Sequence, residues 1–479
     1  MAQQTLRSNN PLGNGASGVG RNNIVVFSGG SAANSLVDVF NNVREANDKP
    51  LKYVIPISDN GGSSSEIIRV FGGPGIGDVR SRLVRLIPED GPEMAAIKRF
   101  FNHRLPKQYD AARIEWLDIV EARHSLWTDI STPKQELIRS FLNVFNLEVV
   151  KRLRPTSRFD FSGASTGNLF LTAARLFTGS FEAGIHLLSS ICSVPSYVSV
   201  IPALSSNFAN HIAAGLADGT IITGQNDISH PSKPVASVPL PTPSLTGSHS
   251  PSWLSKLAIE DQDHVEDANL PGSLLNLRKP AIVFSKDEEE DLPARIERIW
   301  YINPYGQEIR PPANPRVVSA LNDAQHIIYC IGSLFTSIVP SLVLRGVGAV
   351  VASPLVRSKI LILNGTLDRE TGPSSEPFTA LDFVAAIADA CCNSQGLPQP
   401  GPDSYWQYVT HVIHLDGAST PKVDKDAFVS CGIETIRLYG RSNGKGGRYD
   451  ARALEQALEA VIGRRDHRLD RTRRNTLIG

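Results

Sequence analysis

The chain has 479 residues, 48 Lys and Arg against 48 Asp and Glu, and 41% apolar residues, enough for one large α/β domain with insertions or about three smaller domains. Zero formal net charge excludes the electrostatic footprint of a dedicated nucleic-acid or anionic-membrane binder. The five cysteines, Cys192, Cys330, Cys391, Cys392 and Cys431, are odd in number and lack CxxC spacing, which fits neither a disulfide scaffold nor a zinc site and points to a reducing, cytoplasmic compartment.

Residues 1–22 lack the apolar run of a signal peptide and read as a disordered leader. The first strand is expected at 24–27, followed by the turn Ser28-Gly29-Gly30-Ser31 and a helix to about Ala46. A second strand at 53–57 ends in Ser58-Asp59-Asn60-Gly61-Gly62-Ser63-Ser64-Ser65. Strand, glycine turn, helix and strand make a βαβ unit, whose right-handed crossover puts both turns at the carboxyl ends of parallel strands, where open α/β sheets bind ligands. From about 90 to 158 the pattern is helical and charged, with Trp116 and Trp127 as isolated large apolar residues, an insertion suited to a lid or a partner contact.

The α/β pattern resumes at 161–171, with a helix following into Leu176. Asp218-Gly219 marks a hairpin between strands at 211–216 and 220–223. Two charge-free stretches, 184–217 and 327–344, are broken by Pro195, Pro202 and Pro340 and carry polar residues, so neither reads as a membrane span. Residues 226–292 are rich in Ser and Pro and end in the acidic run 286–291, a low-complexity insertion expected to be disordered, with Trp253, Leu254 and 282–284 as docking points. Further strands are expected at 296–302, 327–331, 359–363, 408–415 and 435–439. A final helix at 451–462 carries Leu454, Leu458 and Ile462 on one stripe, and 466–479 form a basic tail. The fold class is therefore α/β, a Rossmann-like, mostly parallel sheet over 23–465 interrupted by the two insertions.

Small polar turns recur after the strands: 28–31, 59–65, 72–82, 166–168, 332–333 and 364–366. Glycine turns that open helices let backbone N–H groups approach phosphate, and several on one sheet edge make a nucleotide-sized anion site. None is a Walker A loop or a complete GxGxxG, which argues against an ATPase or an ordinary dinucleotide enzyme. Asp59 suits sugar hydroxyls, a metal or a proton, or caps its own turn. Asp78 opens a helix bearing Arg80, Arg82 and Arg85, either a phosphate clamp through Arg80 or a basic surface face. Asn168, Ser333 and Asn364 fit ligand contacts or turn chemistry equally. Histidines lack HExxH or HxH spacing, and His411 and His414 point to opposite faces of a strand. No serine stands out as the nucleophile of a strand–turn–helix elbow, so nucleophilic hydrolysis is unsupported.

The segments 27–36, 57–86, 165–171, 216–225 and 329–347 together resemble the family that joins 2-phospho-L-lactate transferase with the YvcK-like gluconeogenesis factors that bind UDP-sugars. The wording DNGGSSS and GNLFL is closer to the YvcK-like branch. The resemblance implies a Rossmann-like sheet and a phosphate-containing nucleotide ligand. In the transferase branch, Mg2+ helps pass a phospholactyl-type group from a guanosine diphosphate donor to the deazaflavin alcohol Fo. Asn60 stands where the family commonly has a second acid, which weakens metal binding, and Ile331 replaces a glycine or proline.

Residues and resemblance together give the expectation of a UDP-sugar-class nucleotide-diphosphate binder with a regulatory role. Gly29, Gly30, Ser31, Gly332, Ser333 and Asn364 are expected to hold phosphate. Asn60, Gly62, Ser63, Ser64, Asp78, Arg80 and Asn168 are expected to meet sugar, base or acceptor. The alternative is an Mg2+-dependent transferase with Asp59 as catalytic and metal-binding residue. No nucleic acid, membrane or tightly bound organic cofactor is expected; a homodimer, or a protein partner at the insertions, fits the pattern.

Overall fold

The computed structural model describes residues 21–30, 32–153, 158–230, 274, 277, 291–442 and 447–463. A seven-stranded sheet organises them: β1 (Asn23–Phe27), β2 (Leu51–Ile55), β3 (Val198–Pro202), β8 (Ala324–Tyr329), β9 (Ser358–Ile362), β10 (His411–Leu415) and β11 (Glu434–Leu438), in the order β11-β10-β9-β8-β1-β2-β3. Every pairing in it is parallel. Val25, Val26 and Phe27 have no exposed surface, as the continuous apolar run requires of a central strand covered on both faces.

From β1 the chain builds outward through β2 to β3 and then returns to place β8 on the other side of β1. The strand order thus reverses between β1 and β8, and in open α/β sheets that switch opens a crevice at the carboxyl ends. A four-stranded antiparallel sheet, β5-β4-β6-β7, is inserted before the return: β4 (His211–Leu216), β5 (Ile221–Thr223), β6 (Ile296–Ile302) and β7 (Glu308–Ile309). The Asp218-Gly219 turn joins β4 to β5 as expected. A two-stranded ribbon, β12 (Gly440–Ser442) with β13 (Gly447–Tyr449), completes the strands.

The helices are α1 (Val37–Ala46), α2 (Gly62–Phe71), α3 (Gly77–Arg85), α4 (Pro92–Asn102), α5 (Tyr109–Val120), α6 (Thr132–Arg152), α7 (Thr166–Thr178), α8 (Phe181–Ile191), α9 (Gln225–Ser229), α10 (Pro315–Asn322), α11 (Val339–Leu342), α12 (Val347–Val351), α13 (Ala380–Gln395), α14 (Lys425–Ser430) and α15 (Ala451–Ile462). The expected insertion is helical, α4 to α6, and is not an appendage. Trp116, Phe145, Phe159 and Phe161 pack with Phe71 of α2 in one aromatic cluster, continuous with the sheet's core.

Two expectations are corrected, and one strand was not expected at all. Thr166-Gly167-Asn168-Leu169-Phe170-Leu171 is already the first part of α7, since side-chain burial on all sides there imitates a strand. The low-complexity segment does not begin at 226: residues 225–229 form α9, although the composition shifts there. Strand β3 escaped the sequence pattern because Pro202 ends it inside a run that lacks alternation. Trp253, Leu254, 282–284 and the tail lie outside the described residues. All five cysteines are buried and free. Among the described residues no helix is long and apolar enough to cross a membrane.

Close helix contact makes one stability test simple. A Cβ on Gly348 of α12 would sit 1.9 Å from the Cys391 carbonyl oxygen of α13. Gly348→Ala should therefore destabilise the fold by about 1–3 kcal/mol, read from the urea midpoint at unchanged m value.

Candidate functional site

Three helix starts meet beside the switch. Asp59, after β2, turns back so that its Oδ1 accepts the Gly61 N–H at 3.0 Å and closes the turn that leads into α2. The 72–77 turn folds against it closely: Gly75 N–H donates to Ile57 O at 2.9 Å, and a Cβ at Gly75 would lie 2.3 Å from Asp59 O. That approach aims the first turn of α3, with Asp78, at the loop after β1. Gly30 donates its N–H to the Asp78 carboxylate, and a Cβ there would meet Asp78 Oδ1 at 1.9 Å. Only glycine fits at position 30.

Asp59 and Asp78 keep part of their residue surface exposed, but their carboxylates are desolvated. Burial, then repulsion from Asp59, pushes the Asp78 carboxyl up to about 7, and burial also raises Asp59. A second acid pair follows β9. Glu370, 1% exposed, accepts from Phe335 N–H (2.9 Å), Thr336 N–H (3.0 Å), Thr336 Oγ1 (2.6 Å) and Ser229 Oγ (2.9 Å). Burial and neighbouring Asp368 still push it up to about 8.

Cations hold the other side. Arg82 is 0% exposed, donates to Ser28 Oγ, Gly29 O and Ala33 O at 3.3 Å, and lies over the Tyr53 ring, so it braces the β1 loop. Arg80 is 6% exposed and donates to Asn168 Oδ1 at 3.1 Å and Asn102 Oδ1 at 3.2 Å. Both partners are neutral, and among the described residues its Nη2 makes no hydrogen bond. Burial and nearby Arg104 lower Arg80 to about 10, so it stays charged at neutral pH. A basic surface face on α3 is thus the wrong reading for Arg80 and Arg82; Arg85, paired with Asp38 at 2.6 Å, is the one of the three that reaches the surface, and only in part.

The expected sugar or acceptor group is brought together around these charges. Asn168 donates to Ser63 Oγ at 3.4 Å, Ser64 is buried where α2 meets Gly77, and Gly62 starts α2 with φ 56°. Asn60 is engaged elsewhere, its Oδ1 accepting Asn226 N–H at 2.9 Å. The expected phosphate donors are largely taken by protein acceptors. Gly332 N–H and the Asn364 amide bond each other in both directions at 2.9 Å, Ser333 donates to Asp368, and Gly30 faces Asp78. Gly29 presents its carbonyl to Arg82, and Ser31 lies outside the described residues.

Helix α9 crosses above the switch. At one end Ser58 Oγ donates to Gln225 Oε1 at 2.7 Å and Asn60 holds Asn226; at the other Glu370 holds Ser229, and Arg369 Nε donates to Ile228 O at 3.3 Å. These contacts come from the loops after β2 and β9, the strands that flank the β8–β1 pair. Sequence reasoning missed Arg82, Glu370 and α9; the two acids closing Asp368-Arg369-Glu370 just beyond a strand were the available signal. A surface cavity of about 420 Å³ lined by Pro88, Glu89, Ala95, Lys98, Arg99 and Asn102 touches this network through Asn102, but Lys98 is spent on Glu89 at 2.8 Å. The switch, where unlike charges converge, is the better site.

The carboxyl shifts fix a pH dependence. Asp78 protonates near 7 in the fold and near 4 in the unfolded chain, so its contribution is favourable below about pH 4 and is lost as pH rises through about 7. Asp78→Asn should flatten the fall in urea midpoint between about pH 4 and 7; an unchanged slope would show that Asp78 is not the group responsible.

Residues 24–433 match the family model described as 2-phospho-L-lactate transferase CofD. An uncharacterized protein of Saccharomyces cerevisiae, YNL011C, is 38% identical over 421 residues, covering 85% of this chain and 93% of its own length. Two crystal structures of protein BH3568 from Bacillus halodurans, one described as a member of the upf0052 family, match with TM-scores of 0.54 and identities of 19% and 20%. They cover 91% and 92% of this chain and 99% of their own, a likeness of fold.

Proposed function

The chain belongs to the 2-phospho-L-lactate transferase CofD family, and we propose that it binds a nucleoside diphosphate derivative of the UDP-sugar class in the crevice between β1 and β8. The observation that carries this reading is the charge arrangement at the switch: a buried, charged Arg80 with only amide partners, opposite the desolvated Asp59–Asp78 pair. A buried guanidinium that feels Asp78 but hydrogen-bonds only amides is costly, and a diphosphate oxygen at its Nη2 would offset that cost. Because the glycine-loop donors already serve Asp78 and Asn364, Arg80 carries more of the anion recognition than the loops do.

Asp59 and Asp78 fit a hard divalent cation such as Mg2+, which takes oxygen ligands and would offset the burial that raises both carboxyls and the repulsion that adds to it at Asp78. When bound, Mg2+ would supply charge neutralisation at the diphosphate. Asn60 is a neutral amide and adds no second charge there, and its Oδ1 is engaged in securing α9. This pair favours a second reading, transfer of a phospholactyl-type group to an acceptor hydroxyl. In that reading Asp59 holds the metal side, Arg80 stabilises the developing charge, and α9 limits water entry. In the first reading the same bound nucleotide serves regulation without turnover.

Thermal unfolding of the full chain with UDP-N-acetylglucosamine, UDP-glucose, GDP, GTP and Fo, each with and without Mg2+, tests both. A nucleotide at about 100 times its Kd should stabilise the fold by about 2.7 kcal/mol, and Arg80→Met should weaken binding by at least about tenfold. Loss of the Mg2+ dependence in Asp59→Asn together with turnover of a guanosine diphosphate donor in the presence of Fo selects the transferase. A Mg2+-independent shift with UDP-sugars selects the regulator, and no shift with any nucleotide refutes the site.

A further inference from the structure

His103, Glu115 and His124 come together outside the switch, inside the helical insertion. His103 follows the last turn of α4, Glu115 lies on α5, and His124 caps the short 3-10 turn Ser125–Trp127. Both imidazoles aim Nε2 at one carboxylate oxygen: His103 lies 2.5 Å and His124 3.5 Å from Glu115 Oε1, with ring centroids 5.7 Å apart. One ligand atom from each residue lies within 4.8 Å of the others. We propose that these three side chains form a zinc site.

The donor set is the reason for choosing zinc. Two imidazoles and one carboxylate suit a borderline ion, whereas Mg2+ and Ca2+ prefer oxygen alone. Tetrahedral zinc with bonds of about 2.0–2.2 Å sets its ligands roughly 3.4 Å apart. The His124–Glu115 distance already matches, and the His103–Glu115 pair needs to open by a rotation of the glutamate. The side chains are 26%, 22% and 23% exposed, which leaves an entry path and a fourth position for water.

Proton placement decides the cost. His124 Nδ1 accepts the Leu126 N–H at 3.1 Å, so in the metal-free chain its proton sits on Nε2 and points to Glu115. Zinc at Nε2 moves that proton to Nδ1 and breaks the Leu126 cap, exchanging one backbone bond for a metal–ligand bond. Glu115 supplies the ion's only anionic ligand.

The ion would brace the nucleotide site from behind. The His103 carbonyl accepts Thr166 N–H at the start of α7 at 3.1 Å, Asn102 holds Arg80, and Arg104 bridges Ser165. Fixing residue 103 therefore fixes the segment on which Arg80 and the α7 start both lean. This is a positioning role. None of the three zinc ligands need touch the nucleotide.

The test uses the full chain, stripped with a chelator and titrated with Zn2+ by calorimetry, and with Co2+ for ligand-field absorption. About one ion per chain is expected, with a rise in melting temperature. His124→Asn keeps an acceptor for Leu126 N–H and so separates ligation from capping. It and Glu115→Gln should each weaken uptake by at least about tenfold, whereas Asp59→Asn should leave uptake unchanged. Absence of stoichiometric uptake, or uptake unaffected by His124→Asn and Glu115→Gln combined, overturns the proposal, as does loss of uptake in Asp59→Asn alone.

Discussion

Two acids, Asp59 and Asp78, are desolvated side by side beneath a glycine loop, and much of the surrounding architecture follows from keeping them there. The repulsion between them is tolerated because each has fixed backbone donors: Gly61 for Asp59 and Gly30 for Asp78. Those donors require turns with almost no space for a side chain, which is why Gly30 and Gly75 sit in contact with Asp78 and Asp59. Arg82 lies beneath, holding the same loop by its carbonyls and its serine. The acids are thus positioned by backbone geometry, while their high proton affinity makes them receptive to a cation.

The antiparallel sheet gains a purpose from this arrangement. Its β4–β5 hairpin leads directly into α9, and α9 is bonded to the first acid pair's loop at one end and to Glu370 at the other. The helix is only five residues long, too short to be stable by itself, so its place depends on these side-chain bonds. An element of that kind is easily released when one of its partners is engaged by something else.

The sheet was legible in the sequence because its strands carry short apolar stretches that run into glycine- or serine-bearing turns, and six of the seven main strands were placed within a few residues. Strand β3 was not, since a proline closes it and no polar alternation marks it. The site was legible in part. Asp59, Asp78, Arg80 and Asn168 stand out because they follow strands or open helices, whereas Arg82 acquires meaning only from burial, which spacing along the chain does not encode, and Glu370 is marked in the sequence only by its nearness to Asp368 beyond a strand. The three ligating side chains in the insertion are 12 and 9 residues apart on unrelated elements, and no local periodicity would pair them.

Pairing between β1 and β8 has a temporal side. Val26 meets Ile328, 302 residues later (328 minus 26), with the whole helical insertion and the antiparallel sheet lying between them. During synthesis at roughly 5–20 residues per second, β1 waits about 15–60 s for its neighbour to emerge. Throughout that interval one edge of an almost wholly apolar strand is unpaired, the condition under which nascent chains associate wrongly. Early packing of α1 and β2 onto β1 is the protection available to it, so the newborn chain's solubility rests on its first βαβ unit well before the crevice exists.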